Sequence, residues 1–199
     1  LSSVKISGDQ YSALRKGFKP LAGYIGAKER EGIKISMTAP VIQSSGNVEN
    51  EWVVSFSMPS KYNKVSLPDP KNDQVYIEEM MQTTAAVWRF SGNANQQLLD
   101  KKTALLLKWV ETSGYKISSK PKYLFYNPPA TPGFLKRNEV MLVVNSEKTD
   151  DWADYGNKIN QTKIEKVKWM NSRNISRFQT MAQECKIKIF RMLGISWLE

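Results

Sequence analysis

Histidine is absent from the 199 residues, and that absence excludes more chemistry than any other feature of the composition. Without an imidazole there is no Ser-His-Asp triad, no Cys/His zinc site and no imidazole ligation of a metal. Cysteine occurs once, at Cys185, so no intramolecular disulfide can form and a stapled secreted scaffold is ruled out. A reducing compartment is the expectation. Long apolar runs are missing as well: a bilayer crossing needs ~20 apolar residues, and the run from Ala104 to Leu107 stops at Lys108, so a soluble protein is expected. The sequence opens at Leu1 with neither a charged-then-apolar leader nor an Arg/Ser-rich transit segment, and any targeting signal is expected to have been removed or omitted. Acid/base pairs are also lacking, because Glu78-Glu79 and Asp150-Asp151 are sequence neighbours, which on a strand point to opposite faces. The chain therefore reads as a non-enzyme; a buried carboxylate facing a groove tyrosine would speak against that.

What is present suffices for one domain plus an extension, since 41% hydrophobic and 11% aromatic residues can supply a core. With 29 Lys and Arg against 19 Asp and Glu the net charge is +10, which favours anionic partners but says nothing about fold. The basic residues are dispersed and no RNA- or DNA-binding motif occurs, so no specific nucleic-acid partner is expected.

Along the chain, Gly8-Asp9 precedes Tyr11, Leu14, Phe18, Leu21 and Ile25, whose spacing of three and four predicts an amphipathic helix. Gly17 and Pro20 inside it predict a bend or break near Lys16 to Lys19. Alternation in Ile33, Ile35, Met37 and Ala39 predicts a strand ending at Pro40, followed by a hairpin loop over Gln43 to Asn50. Trp52 to Met58, Val75 to Glu79, Ala85 to Phe90, Tyr123 to Tyr126 and Glu139 to Val144 read as further strands, and Gln96 to Glu111 as a second helix. Pro128, Pro129 and Pro132 forbid regular pairing between the last two strands. The order of helix, strand ending in proline, and strand occurs in Asp9 to Pro59 and again in Gln96 to Val144. Two similar halves are expected, each a helix lying on antiparallel strands.

Several ordered blocks carry a family resemblance. Gly17-Phe18, Leu21-Ala22-Gly23-Tyr24-Ile25-Gly26, Lys34-Ile35-Ser36-Met37-Thr38-Ala39-Pro40-Val41, Phe56-Ser57-Met58-Pro59, Leu67-Pro68-Asp69-Pro70, Ala86-Val87 with Phe90-Ser91-Gly92, Tyr126-Asn127-Pro128-Pro129 and Arg137-Asn138-Glu139-Val140 resemble, in that order, the motifs of the SOUL/haem-binding-protein family. The resemblance spans about Val4 to Val144. It implies an α+β fold, a distorted antiparallel β-barrel built from two βαββ-like halves with two flanking helices. It also implies non-enzymatic binding of haem or a related tetrapyrrole in a shallow apolar groove beside the first helix, with basic residues near the propionates. Family members usually have a first strand and most of a second before this helix, whereas here only Leu1 to Ser7 could supply the end of one, so the domain, placed at residues 1–147, is expected to lack its first strand.

For the groove, the candidates are Leu14, Phe18, Ala22, Met37 and Phe134; for the propionates, Arg15, Lys19, Lys136 and Arg137. Each has a plainer reading. Leu14 and Phe18 must also cover the sheet, the Met37 to Val41 block is equally a strand running into a turn, Arg137 can pair with Glu139, and the lysines can form a solvated basic face. Some relatives are thought to ligate iron through histidine; here Met37, Met58, Tyr24 and Cys185 are the candidate ligands, and no spacing singles one out. An effector- or peptide-binding module of the same barrel shape is the alternative function. The Met58 to Tyr62 and Lys136 to Val140 wording resembles plastid and bacterial relatives, which points to a plastid or the cytoplasm.

Beyond Asn145 the resemblance stops, and residues 148–199 read as a separate helical or disordered extension. Phe178, Met181, Cys185, Ile189 and Met192 recur at helix spacing over Gln179 to Leu193, with Lys186, Lys188 and Arg191 nearby. A basic amphipathic helix of this kind can make a weak membrane-surface or protein contact; the blander reading is a weakly ordered tail.

Overall fold

The computed structural model describes residues 1–28, 32–145 and the backbone of 187–192. Within them the chain runs β1 (Ser2–Ser7), α1 (Gln10–Ile25), β2 (Val41–Ser45), β3 (Glu51–Phe56), β4 (Val75–Ile77), β5 (Thr83–Phe90), α2 (Gln96–Thr112), β6 (Lys122–Phe125), β7 (Asn138–Val144) and β8 (Ile187–Met192). The strands form one antiparallel sheet in the order β4-β1-β3-β2-β6-β7-β5-β8. Each half is a strand, a helix and three strands, arranged as fourth, first, third, second. The second strands of the two halves, β2 and β6, meet at the centre. The expected repeat is therefore present, and the class is α+β.

A barrel is not. No hydrogen-bonded ladder joins β4 to β8 among the described residues, so the sheet remains open at both edges. Closure requires an uninterrupted ladder around the sheet, and β4 offers only three residues to one side. Ser2–Ser7 pairs along its whole length with β3 and lies inside the sheet, between β4 and β3.

Register explains where the core sits. Val4 pairs with Val54, Val54 with Gln43, Gln43 with Tyr123, Tyr123 with Val140 and Val140 with Trp88. Residues directly opposite one another share a sheet face, so these six define a single face. Helix α1 packs on it over Val4, Val54 and Phe56, with Leu21, Tyr24 and Ile25 buried. Helix α2 packs on the same face over Trp88, Phe90, Val140 and Leu142, through Leu99, Leu106 and Val110. The opposite face carries a third buried cluster, Ile42, Ala85, Val87, Leu124 and Met141, with Leu1, Met80 and Tyr126 packed against it.

Helix α1 starts where a side chain replaces a missing backbone partner: the Asp9 carboxylate accepts from Ser12 N–H at 3.0 Å. The helix continues through Gly17 and Pro20 to Ile25, so the expected break does not occur. Gly17 serves close approach. A Cβ there would stand 2.8 Å from Val54 Cβ and Cγ2 and 3.1 Å from Val4 Cγ2, which means that the helix backbone rests directly on β1 and β3. Packing of this face outweighs the local cost of Pro20.

Two further expectations are corrected. The alternating segment Ile33 to Ala39 is not a strand; the strand begins after Pro40, at Val41, and the expected loop is shortened to the turn after Ser45. Ile33 and Met37 are exposed and only Ile35 is buried, its N–H bonded to Ile25 O at 2.8 Å. The segment is thus tied to the end of α1 and not to a ladder. Likewise Ile187–Met192, expected inside a helix, is a strand paired with β5. Its β-branched Ile187 and Ile189 suit a strand, and β5 offers it an open edge. The remainder of the expected 179–193 helix and Cys185 lie outside the described residues. No described helix is long and apolar enough to cross a membrane.

Two substitutions test this packing. Gly17→Ala should gain about 1 kcal/mol of helix propensity but lose roughly 1–3 kcal/mol to overpacking against Val54, so denaturant unfolding should show net destabilisation; a stabilised variant would contradict the close approach. Asn95 caps α2 by accepting from Leu98 N–H at 2.9 Å, and Asn95→Ala should cost about 1 kcal/mol, with Asn95→Asp near the parent.

Candidate ligand-binding site

One row of side chains crosses the helix-covered face at one end of the sheet. Ser2 pairs with Phe56, Phe56 with Val41, Val41 with Phe125, Phe125 with Asn138 and Asn138 with Phe90. The Phe18 ring of α1 stands edge-on to Phe56, with centroids 5.1 Å apart and planes at 65°. Among the connections that leave the sheet at this end are the segment entering β2 through Pro40, the segment leaving β3 after Phe56, and the loop between β6 and β7. The first two are held together, because Thr38 Oγ1 donates to Ser57 O and Ser57 Oγ donates to Pro40 O.

Large apolar side chains stay in solvent here. Phe18 is 41% exposed, Met37 52% and Phe134 77%, the last on a 3-10 turn over Gly133–Leu135. Leu14 and Ala22 are half-buried against the α1 core. The structure thus brings Phe18, Met37 and Phe134 to one end of the sheet and leaves Leu14 and Ala22 mainly with the core. Phe56, Val41 and Phe125, which floor this end, were missed by sequence reasoning because only strand register shows that they are neighbours.

Of the basic candidates, Arg15 and Lys19 are exposed on α1, and the Arg15 guanidinium lies 6.0 Å from the Tyr11 ring centroid. Lys136 Nζ donates to Asn93 Oδ1 at 3.1 Å. Arg137 is bound to Glu139: its Nε is 2.9 Å and its second guanidinium nitrogen 2.8 Å from Glu139 Oε1. The guanidinium also stacks 4.1 Å from the centroid of the Tyr126 ring.

Tyr126 completes this cluster by donating its hydroxyl to Glu139 Oε2 at 2.7 Å. Glu139 is 4% exposed, so its charge depends on these partners. Burial drives the Tyr126 hydroxyl far above the ordinary phenol range; the Glu139 charge adds to the shift and Arg137 opposes it. The phenol consequently keeps its proton. Tyr126 and Arg137 stand at the two ends of the Pro-rich loop, a role that the adjoining Tyr126-Asn127-Pro128-Pro129 and Arg137-Asn138-Glu139-Val140 blocks carried without revealing.

The loop is fixed elsewhere too. Arg137 N–H donates to Asn127 Oδ1 at 2.7 Å, and Tyr126 N–H to Arg137 O at 3.3 Å. Gly92 N–H donates to Gly133 O at 2.9 Å and Asn138 Nδ2 to Gly92 O at 2.9 Å. Gly92 has φ +119°, a conformation that favours glycine, which lets β5 end against the loop.

The side chains considered for iron are unequally placed. Met58 is buried in the α1 core, and Tyr24 is 1% exposed with its hydroxyl donated to Pro68 O at 2.7 Å. Met37 is the candidate among the described residues whose donor side chain is exposed. No group of three or more His, Cys, Asp or Glu suited to a metal ion occurs among the described residues.

Comparison with known proteins shows the family to which the chain belongs. The family described as SOUL heme-binding protein matches residues 1–143. The chain is 31% identical over 152 residues to heme-binding protein 2 of Homo sapiens, covering 73% of each chain. It is 27% identical over 140 residues to heme-binding protein 1 of Bos taurus, covering 68% of this chain and 72% of that one. Among solved structures, a protein titled as a hydrolase from Listeria innocua superimposes with a TM-score of 0.51 at 12% identity, over 72% of this chain and 86% of the other; that likeness concerns the fold alone. With most of the described domain inside the match, the chain belongs to the SOUL heme-binding protein family.

Proposed function

We propose that this protein binds haem or a related tetrapyrrole without turning it over, in the shallow apolar groove at the end of α1. The observation that carries the reading is the exposure of Phe18, Met37 and Phe134 at one end of the sheet, over a floor of Phe56, Val41 and Phe125. Exposed apolar side chains at one end of a fold are candidates for a binding surface, and a flat macrocycle needs an apolar face more than a deep cavity. Arg15, Lys19 and Lys136 supply cations for propionates, whereas the guanidinium of Arg137 is engaged by Glu139 and Tyr126 on the helix-free face. When bound, the tetrapyrrole supplies whatever redox or light-absorbing chemistry the complex has; the chain's residues bury, orient and charge-match it.

Iron coordination is a secondary matter in this reading. Histidine is absent, and Tyr24 and Met58 are committed to the core, so affinity comes from burial and charge, with Met37 as the thioether within reach of solvent. Catalysis finds no support in the tyrosine–carboxylate pair. Glu139 has an oxygen on Tyr126 and the other on Arg137, and the raised Tyr126 hydroxyl holds its proton, so neither group is available as a base.

Titration with hemin followed through the Soret band tests the reading. A saturable shift is expected, weakened about tenfold by Phe18→Ser, because the exposed ring contributes on the order of 1–2 kcal/mol of apolar contact. Raising the ionic strength should weaken binding further if the lysines meet propionates. Absence of a saturable shift, or a different small molecule co-purifying in stoichiometric amount, would overturn it.

A further inference from the structure

We infer that Glu139 is a positioning residue for the ligand site, acting through the loop that carries Phe134 and Lys136; the inference rests on the proposed groove. Residues 127–136 leave the sheet after Tyr126 and return at Arg137. Those two flanking residues are the ones that Glu139 holds: Tyr126 by a hydroxyl on Oε2 at 2.7 Å, Arg137 by guanidinium contacts of 2.9 and 2.8 Å on Oε1. The guanidinium stacks on the Tyr126 ring at 4.1 Å, so the two ends of the loop touch each other as well as the carboxylate. One buried anion therefore closes the loop at its base.

The arrangement costs too much for a surface ornament. Taking a carboxylate to 4% exposure is unfavourable unless cations and donors surround it, and here both come from the loop ends. The loop needs such closure, because three prolines in residues 128–132 deprive it of backbone donors that would pair in a ladder. The tip remains in solvent, with Phe134 77% and Leu135 61% exposed, held by Gly133 O on Gly92 N–H and Lys136 Nζ on Asn93 Oδ1. Fixing the base and the two side contacts presets where Phe134 and Lys136 stand before ligand arrives, and preorganisation of this kind raises affinity by removing the ordering cost from the binding step. Glu139 itself lies across the sheet from the groove: it pairs with Leu124 and shares the helix-free face with it. Its effect on ligand is transmitted entirely by the loop.

Glu139→Gln and Tyr126→Phe test this, each read by hydrogen exchange of ligand-free protein and by hemin titration well below the unfolding midpoint. Both variants should exchange amides of residues 127–136 faster than the parent while the β5–β7 ladder is unchanged. Hemin should bind Glu139→Gln about tenfold more weakly, roughly the loss of one charge-assisted hydrogen bond's worth of ordering, and Tyr126→Phe by a smaller factor; Glu139→Asp, which keeps the charge, should recover part of the loss. Tighter hemin binding by Glu139→Gln would show that the carboxylate sequesters Arg137 from ligand and would overturn the inference. Unchanged loop exchange in both variants would overturn it as well, and does so even if the parent binds no hemin, a result that would count separately against the groove. Should Glu139→Gln fail to fold, the single-hydroxyl change Tyr126→Phe carries the test.

Discussion

The pairing of β2 with β6 is the contact on which the rest of this structure depends. Four residue pairs, from Val41 and Phe125 to Ser44 and Lys122, join two halves that each have their own helix and strands. Because a one-residue slip in an antiparallel ladder would turn every side chain to the other face, this short register decides that both helices cover the same side. It also places Val41 beside Phe125 at the end of the sheet where Phe18 rests on Phe56. Slipped by one residue, Phe125 would face the third cluster and leave the row of Phe56 and Val41.

From that join the functional end follows by short steps. Strand β2 begins after Pro40, β3 ends at Phe56, and β6 and β7 are linked by a loop that prolines keep out of the ladder. All of these chain segments emerge at one end of the sheet. Exposed rings and lysines there are consequences of where strands stop. The buried Glu139 then converts a loop with few backbone bonds into a defined wall, by holding Tyr126 and Arg137 together. Family membership points to the ligand class, and the proposed groove would take it by burial and charge without a histidine.

Much of this was legible from the residues. Apolar spacing located both helices and most strands, and the repeated order of helix and strands anticipated two halves that the topology confirms. Failures came where local pattern and long-range pairing compete. Ile33 to Ala39 alternates like a strand, but no neighbour offers it a ladder and Ile35 ties it to α1. Ile187 to Met192 has helical spacing, yet β5 presents an edge that takes it as a strand. Gly17 and Pro20 look like a helix break until the sheet beneath is known, since Gly17 is what lets α1 lie on Val54. Barrel closure depends on two edges meeting, which no local signal contains. Side-chain type was enough to nominate Phe18, Met37 and Phe134 as candidates, whereas the row of Phe56, Val41 and Phe125 and the Glu139 cluster required knowledge of which strands are neighbours.

The central claim is the place of binding, and hydrogen exchange of the whole chain with and without hemin locates it most directly. The account predicts slowed exchange in the loop of residues 127–137, the segment of residues 32–40 and the second half of α1, with no change in the turn between β2 and β3 at the far end of the sheet. Protection confined to that far turn, or to α2 with the three predicted segments unaffected, would contradict it.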